Sequence, residues 1–233
     1  MTLSFYRRLC LGLMLLAAAG PVAAANIGLD VFAIPSKPIV ALVAKTSDNL
    51  KHHGMQSFYA KGLPVHVTLY LTSFPESSEA AIKQAVAAIA ARQQSFSVRA
   101  NGFTVSAGNW AFIDVERSPQ LQRLADEVTM AVSPLRNPQP TLPGWVKAYP
   151  NKRAAFERYG SPNVFQNFEP HLTLLAAEQN PALKQVQQAL AAKPPMAQGR
   201  IIGMGIGIAD QFGQQKKVLA TYYFSTKQQG TQP

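Results

Sequence analysis

The chain has 233 residues, of which 47% are hydrophobic and 15% charged, a composition that excludes collagen-like and intrinsically disordered polypeptides. This length is enough for one sizeable domain or for two small lobes that share a core. The formal net charge of +10 favours anionic ligands because it raises their concentration near the protein, although many basic proteins bind none.

The N-terminus has the three parts of a secretory signal. Arg7 and Arg8 are followed by an apolar stretch from Leu9 to Ala19 and by small residues that end at Ala25. This order predicts a signal peptide over residues 1–25 that is removed on export. The apolar stretch is short for a membrane-spanning helix, and an uncleaved anchor is the alternative. We therefore expect a periplasmic or secreted protein without stable membrane association.

Removal of the signal would leave one domain over residues 26–233. This domain lacks cysteine, because Cys10 is the only one in the chain. Disulfides, cysteine-based catalysis and thiolate metal ligands are then excluded.

The predicted elements alternate between strands and helices, as in an α+β fold. In chain order they are a strand at 29–34, a helix at about 36–54, a strand at 65–72, a helix at 79–93, strands at 96–100, 103–106 and 110–116, a helix at 118–132, a strand at 170–176, a helix at 180–192, and strands at 201–209 and 218–224. The strands at 65–72 and 170–176 are each followed by a helix and then by antiparallel strands, which indicates a loose internal duplication.

Two glycine patterns carry local information. Asn101-Gly102 predicts a two-residue hairpin turn. Alternating glycines from Gly203 to Gly207 resemble a dinucleotide fingerprint only superficially, because no helix follows them. We interpret them as part of a strand that lies against a close neighbour.

Residues 134–166, called the flap below, contain six prolines and fit no long regular element except a short helix at about 152–159. Aromatic residues such as Trp145 and Tyr149 are interleaved with basic residues such as Lys152. This pattern suits a surface that stacks on bases and attracts phosphate. The alternative is a proline-rich connector whose aromatic side chains pack on the core.

Two short segments of the sequence, VHVTL and PHLTL, share one arrangement: His66 with Thr68, and His171 with Thr173. Successive side chains of a strand point to opposite faces, so each His shares a face with its Thr while the apolar residues share the other face. Two copies indicate two halves of a fold that present His–Thr pairs to a common cleft. The alternative is that both histidines are satisfied core residues.

These segments resemble the signature of the 2H phosphoesterase superfamily, which includes bacterial 2′-5′ RNA ligases and cyclic nucleotide phosphodiesterases. Its members carry two His-x-Thr/Ser motifs, each on a strand, far apart in the chain. The resemblance covers about residues 29–224 as a pattern. It implies an α+β fold with two pseudo-symmetric lobes of antiparallel sheet, outer helices and a central cleft that holds both motifs.

The resemblance also implies roles for the motif residues, with His66 and His171 as the acid–base pair and Thr68 and Thr173 holding the phosphate. Opening a ribose 2′,3′-cyclic phosphate needs a base to activate water and an acid to protonate the leaving oxygen. Imidazole, with an ordinary pKa of about 6.5, serves either role. The Thr hydroxyls can donate hydrogen bonds to the nonbridging oxygens. No metal or other cofactor is required.

Tyr70 follows on the same strand face as His66 and Thr68, so it is a candidate for stacking on a substrate base. Its counterpart in the second segment, Leu175, is apolar. The alternative is an ordinary strand aromatic.

We therefore predict a metal-independent phosphoesterase that hydrolyses 2′,3′-cyclic or 2′-5′-linked nucleotides or RNA ends, with reverse ligation as part of the same chemistry. The expected partner is a nucleotide or RNA end rather than duplex DNA, and a monomer is expected. A catalytically idle periplasmic nucleotide- or RNA-binding protein is the alternative, since the basic charge and the flap would serve binding alone. A metal carrier is a weaker hypothesis, because no acidic residues cluster near His52, His53 or the motif histidines.

Overall fold

The structure is a computed structural model that describes residues 25–225. The predicted signal peptide, apart from Ala25, lies outside the described residues. Among the helices that are described, none combines the length and the apolarity needed to cross a bilayer.

Residues 25–225 form seven strands and five α-helices. The strands are β1 (Asn26–Pro35), β2 (Val67–Pro75), β3 (Phe96–Val105), β4 (Ala111–Val115), β5 (His171–Leu175), β6 (Met196–Ala209) and β7 (Gln215–Tyr223). The helices are α1 (Lys37–His52), α2 (Glu79–Arg92), α3 (Pro119–Val132), α4 (Pro150–Tyr159) and α5 (Leu183–Ala192).

All seven strands belong to one antiparallel sheet that divides into two lobes. The first lobe has the order β2–β1–β6–β7, and the second has the order β6–β3–β4–β5. β6 serves both lobes, because residues 196–201 pair with β3 and residues 203–209 pair with β7 on the same edge. Each lobe therefore ends in a motif strand, β2 or β5. The α+β fold with an antiparallel sheet is confirmed.

The helices bury the apolar faces that their periodicity predicts. α1 packs on β6, α3 on β2, and α5 on β3. Leu121, Leu124 and Val128 of α3 are almost completely buried, and burial of each contributes about 2 kcal/mol. The Ser118 hydroxyl accepts a hydrogen bond from the Leu121 amide, and Pro119 fits the first turn because its missing N–H needs no partner there.

The predicted hairpin at Asn101-Gly102 is wrong, because both residues lie inside β3. β3 pairs with β6 along its first half and with β4 along its second, so a turn at this point would break the sheet. The two residues instead form a β-bulge between Ala100 and Phe103. Gly102 has a φ of +116° there, a conformation that glycine adopts at little cost.

The alternating glycines of β6 lie against close neighbours, in agreement with the sequence interpretation. A Cβ atom at Gly205 would lie 2.5 Å from the ring of Phe32, and one at Gly207 would lie 1.8 Å from Oε1 of Gln215. Side chains from the flanking strands β1 and β7 therefore cross over β6. This crossing is possible only because β6 carries no side chains at these points.

The flap contains α4 and short 3₁₀ turns, and its aromatic residues divide into two groups. Tyr159 and Phe165 pack against the core, as the connector interpretation predicts. Trp145 and Tyr149 are about half exposed, at 51% and 50%, and their rings are in contact with each other. Each of the two interpretations of the flap therefore describes a part of it.

Candidate active site

The two motif strands meet although they lie at opposite ends of the strand order. β2 and β5 are in contact across the gap between the lobes. His66 and Thr173, one from each motif, line the same small pocket together with Phe58, Tyr59 and Gln214. The fold therefore brings residues of the two His–Thr pairs, called the two half-sites below, to one cleft.

The two imidazoles are held in the same way. Nδ1 of His66 lies 3.0 Å from the carbonyl oxygen of Pro64, and Nδ1 of His171 lies 2.7 Å from the carbonyl oxygen of Glu169. A carbonyl oxygen can only accept, so Nδ1 carries the proton in each neutral ring. Nε2 is then the nitrogen that each ring has available for proton exchange.

A phenylalanine from the neighbouring strand packs beside each imidazole. Phe32 of β1 is opposite the motif threonine of β2, and its ring centroid lies 5.6 Å from that of His66. Phe112 of β4 is opposite the motif threonine of β5, and its ring centroid lies 4.4 Å from that of His171. The two half-sites therefore share a local design in their strand pairing as well as in their motifs.

The first half-site has a buried carboxyl group that the second lacks. Asp30 of β1 is fully buried, and its Oδ2 accepts hydrogen bonds from the Thr68 hydroxyl at 3.0 Å and from Nε2 of Gln215 at 2.6 Å. The same oxygen lies 3.5 Å from Nε2 of His66. Oδ1 has no hydrogen-bond partner among residues 25–225. Gln215 reaches Asp30 from β7 because Gly207 leaves its path open.

Sequence reasoning missed Asp30, Gln215 and the two phenylalanines. Asp30 had a signal, since it is the single acidic residue in an otherwise apolar strand, and a buried acid is unusual. Gln215 had none, because its contact depends on which strands flank β6.

Burial changes the protonation of the three titratable groups nearest the cleft. It raises the pKa of Asp30 from 3.8 to about 8, although the two hydrogen bonds to the carboxyl group act in the opposite direction. It lowers the pKa of His66 and that of His171, and the backbone carbonyl acceptors partly offset this effect. At neutral pH the carboxyl group is therefore mainly protonated and both rings are mainly neutral. The contact between Asp30 and His66 joins neutral groups and is not a salt bridge.

The second half-site is surrounded by charged side chains instead. Asp114 lies opposite His171 in the pairing of β4 with β5, and its carboxylate accepts a hydrogen bond from the Thr104 hydroxyl. Glu169 forms an ion pair with Lys152 at 2.7 Å. After burial and the carbonyl contact, these charges also act on the pKa of the imidazole: the two carboxylates raise it and the ammonium group lowers it. The two histidines therefore lie in different electrostatic environments.

The two motif threonines also differ. The Thr68 hydroxyl donates a hydrogen bond to Asp30, so only its oxygen lone pairs remain for other partners. Thr173 lines the pocket, where its hydroxyl can donate to a ligand.

The structure does not place Tyr70 where a base can stack on it, which corrects the expectation from the strand face. Tyr70 is fully buried, and its hydroxyl donates to the carbonyl oxygen of Tyr159 in the flap. Thr72, two residues further along, donates to the carbonyl oxygen of Gly160. The flap covers this part of the face, so Tyr70 and Thr72 anchor the flap to β2.

The described part of the chain brings together no group of three or more His, Cys, Asp and Glu side chains that would suit a metal ion. His52 and His53 lie at the C-terminal end of α1, where a cation is favoured by the helix dipole. Nδ1 of His53 contacts the carbonyl oxygen of Asn49 in the same helix. The pocket brings His66 next to Thr173 of the second motif, and the charge of His171 acts on the pKa of His66.

Known proteins resemble this chain in sequence pattern and in fold. The model of the 2′-5′ RNA ligase superfamily matches residues 35–206, which include both motifs. The fold is similar to that of TT0787 of Thermus thermophilus (TM-score 0.57, 14% identity, 86% of this chain and 100% of that chain). It is also similar to that of E. coli LigT in the apo form (TM-score 0.54, 13% identity, 86% and 98%) and in complex with 3′-AMP (TM-score 0.52, 13% identity, 86% and 98%). No curated protein sequence matches.

Proposed function

Since the chain belongs to the 2′-5′ RNA ligase superfamily, we propose that it hydrolyses 2′,3′-cyclic or 2′-5′-linked nucleotides or RNA ends, with His66 and His171 as the acid–base pair. The observation that carries the proposal is the matched pair of imidazoles on two strands in contact, each fixed through Nδ1 by a backbone carbonyl. The complex of E. coli LigT with 3′-AMP supports a nucleotide as the ligand.

The proposed reaction needs two proton transfers at the two Nε2 atoms. A water oxygen bonds to phosphorus while the bond from phosphorus to one ribose oxygen breaks. One imidazole takes a proton from the water, and the other, protonated beforehand, gives a proton to the leaving ribose oxygen. The products are a phosphate monoester and a free ribose hydroxyl. If the 5′-hydroxyl of a second RNA replaces the water, the same steps join two strands through a 2′-5′ bond.

The residues around the imidazoles suit an anionic substrate. Thr173 is proposed to donate a hydrogen bond to a nonbridging oxygen, which stabilises the charge that builds there. The formal net charge of +10, or +8 without Arg7 and Arg8 of the proposed signal peptide, raises the local concentration of phosphate esters. The neutral form of Asp30 avoids a negative charge beside the substrate.

The test is the turnover of 2′,3′-cyclic mononucleotides, 2′-5′-linked dinucleotides and RNA with a cyclic-phosphate end. We expect His66→Ala and His171→Ala each to lose at least about a hundredfold in kcat, the usual contribution of a general acid or base. His53→Ala, at the end of α1, is the matched control and should keep the wild-type rate, and EDTA should have no effect. Undiminished turnover in a folded His66→Ala or His171→Ala variant would remove the assignment.

A binding function without catalysis makes a different prediction in the same experiment. The wild type would then form no product from any of these substrates, and its affinity for them would fall steeply with salt.

We also propose that the protein acts in the periplasm or outside the cell, on the basis of the signal-like residues 1–25. N-terminal sequencing of the exported protein should begin near Asn26. A chain that keeps Arg7 and Arg8 in the cell membrane would contradict this.

A further inference from the structure

We propose that Asp30 is a positioning residue for the proposed reaction, which sets the direction of the Thr68 hydroxyl beside Nε2 of His66. The inference rests on the proposed function. The carboxyl oxygen Oδ2 has three neighbours: the Thr68 hydroxyl at 3.0 Å, Nε2 of Gln215 at 2.6 Å and Nε2 of His66 at 3.5 Å. One buried oxygen thus accepts a hydrogen bond from Thr68 and lies close to His66, the Thr and the His of the first His-x-Thr motif.

The fold builds this contact at some cost. Asp30 is completely buried and leaves Oδ1 without a partner among the described residues, and a polar atom in that state is destabilising. Gln215 comes from β7, two strands away, and crosses β6 at Gly207. A carboxyl group whose only purpose was packing would be replaced at lower cost by an apolar side chain.

The network joins residues inside and outside the stretch that the family model matches. This stretch is residues 35–206, which include His66 and Thr68, whereas Asp30 and Gln215 lie outside it.

The network makes the two half-sites chemically unequal. Because the Thr68 hydroxyl donates its hydrogen bond to Asp30, it offers only a lone pair to other partners, whereas the Thr173 hydroxyl lines the pocket and can donate to a phosphate oxygen. A lone pair suits a water molecule or a protonated Nε2 better than it suits an anionic oxygen. We therefore assign contact with the substrate phosphate to Thr173, and orientation of a water molecule or of the protonated His66 ring to Thr68.

The charge of the carboxyl group is part of the inference. The titratable groups that act on the His66 side are His66 itself, Asp210 of the turn between β6 and β7, and His171 of the opposite lobe. β6 and β7 present Gly207 and the neutral Gln215 to Asp30. Burial raises the pKa of Asp30 to about 8, so ionisation above that pH places a new negative charge beside the substrate phosphate and weakens its binding.

The experiment measures kcat and kcat/KM for adenosine 2′,3′-cyclic phosphate between pH 6 and 9.5. We expect Asp30→Ala to lose at least about tenfold in kcat at pH 7, because the Thr68 hydroxyl loses the acceptor that orients it beside Nε2 of His66. Asp30→Asn should restore most of that loss, since an amide oxygen can accept the same two hydrogen bonds. Loss of the proton of the general acid lowers kcat/KM in both proteins as the pH rises, and the wild type should lose a further factor of about ten per pH unit above about pH 8 that Asp30→Asn does not lose.

Two outcomes would overturn the inference. One is a folded Asp30→Ala variant with the kcat and the pH profile of the wild type, and the other is an Asp30→Asn variant whose decline above pH 8 is as steep as that of the wild type. Asp48→Asn, which removes an exposed carboxyl group, is the control for the loss of charge.

A measurement without substrate separates this inference from the proposed function. The ¹³C chemical shift of the Asp30 carboxyl group should titrate near pH 8, and titration near pH 4 would overturn the network as described. A wild type that hydrolyses none of the substrates would overturn the proposed function, and with it the role of Asp30 in the reaction.

Discussion

Replacement of Asp30 by asparagine should change how the stability of the protein depends on pH. The pKa of this carboxyl group is about 8 in the folded chain, against an ordinary value of 3.8. Between these values the folded state holds a proton that the unfolded state has released. The free energy of unfolding of the wild type therefore falls as the pH rises, by about 1.4 kcal/mol per pH unit for this group. At pH 7 the accumulated loss is about 4 kcal/mol.

Asparagine has no proton to release, so Asp30→Asn should lack this loss. Urea unfolding, followed by circular dichroism at intervals from pH 4 to pH 8, gives the difference in free energy between variant and wild type. We expect the difference to be small near pH 4 and to grow in favour of the variant, reaching about 4 kcal/mol near pH 7. Asp48→Asn, at an exposed position, should show no comparable growth.

A constant difference between pH 5 and pH 8 would refute the reasoning. It would mean that the carboxyl group is ionised in the folded protein at neutral pH. The 3.5 Å contact with Nε2 of His66 would then be a buried ion pair, and the imidazole would carry a positive charge.

Two further substitutions test the packing around the cleft. Gly207→Ala places a Cβ atom 1.8 Å from Oε1 of Gln215, so the Gln215 side chain must move away from the buried carboxyl group of Asp30. Urea unfolding should show that the free energy of unfolding falls by about 1–3 kcal/mol. Gly28→Ala, whose nearest contact would be 3.8 Å, is the control and should lose much less. Tyr70→Phe removes the hydroxyl that anchors the flap and should lower the free energy of unfolding by about 1–2 kcal/mol in the same assay without changing KM. An increase in KM with unchanged stability would instead make Tyr70 a substrate contact. Tyr223→Phe, at an exposed position, is the control.

The elements that could be predicted from the sequence are those in which local pattern and tertiary contact agree. The helix at α3 combines a capping Ser118, Pro119 in the first turn and an apolar face that the sheet buries. The two motif strands were recognisable because alternation places His and Thr on one face whatever the partners are.

The features that could not be predicted depend on which strands become neighbours. Asn101-Gly102 is a strong local turn signal, but β4 and β6 hold both flanking segments in one continuous strand. The contact of Asp30 with Gln215 joins residues 185 positions apart in the chain. Tyr70 lies on the expected face, yet only the course of the flap decides that this part of the face is covered.

The sharing of β6 has a mechanical consequence for the protein. One hydrogen-bonded strand passes from the first lobe into the second near Ile201. This continuous strand connects the two lobes and restricts their motion relative to each other. A change in the twist of β6 would therefore alter the relative placement of the two motif strands, one in each lobe. The duplicated halves are consequently inseparable: a cut in the chain at this point would divide the one strand that belongs to both of them.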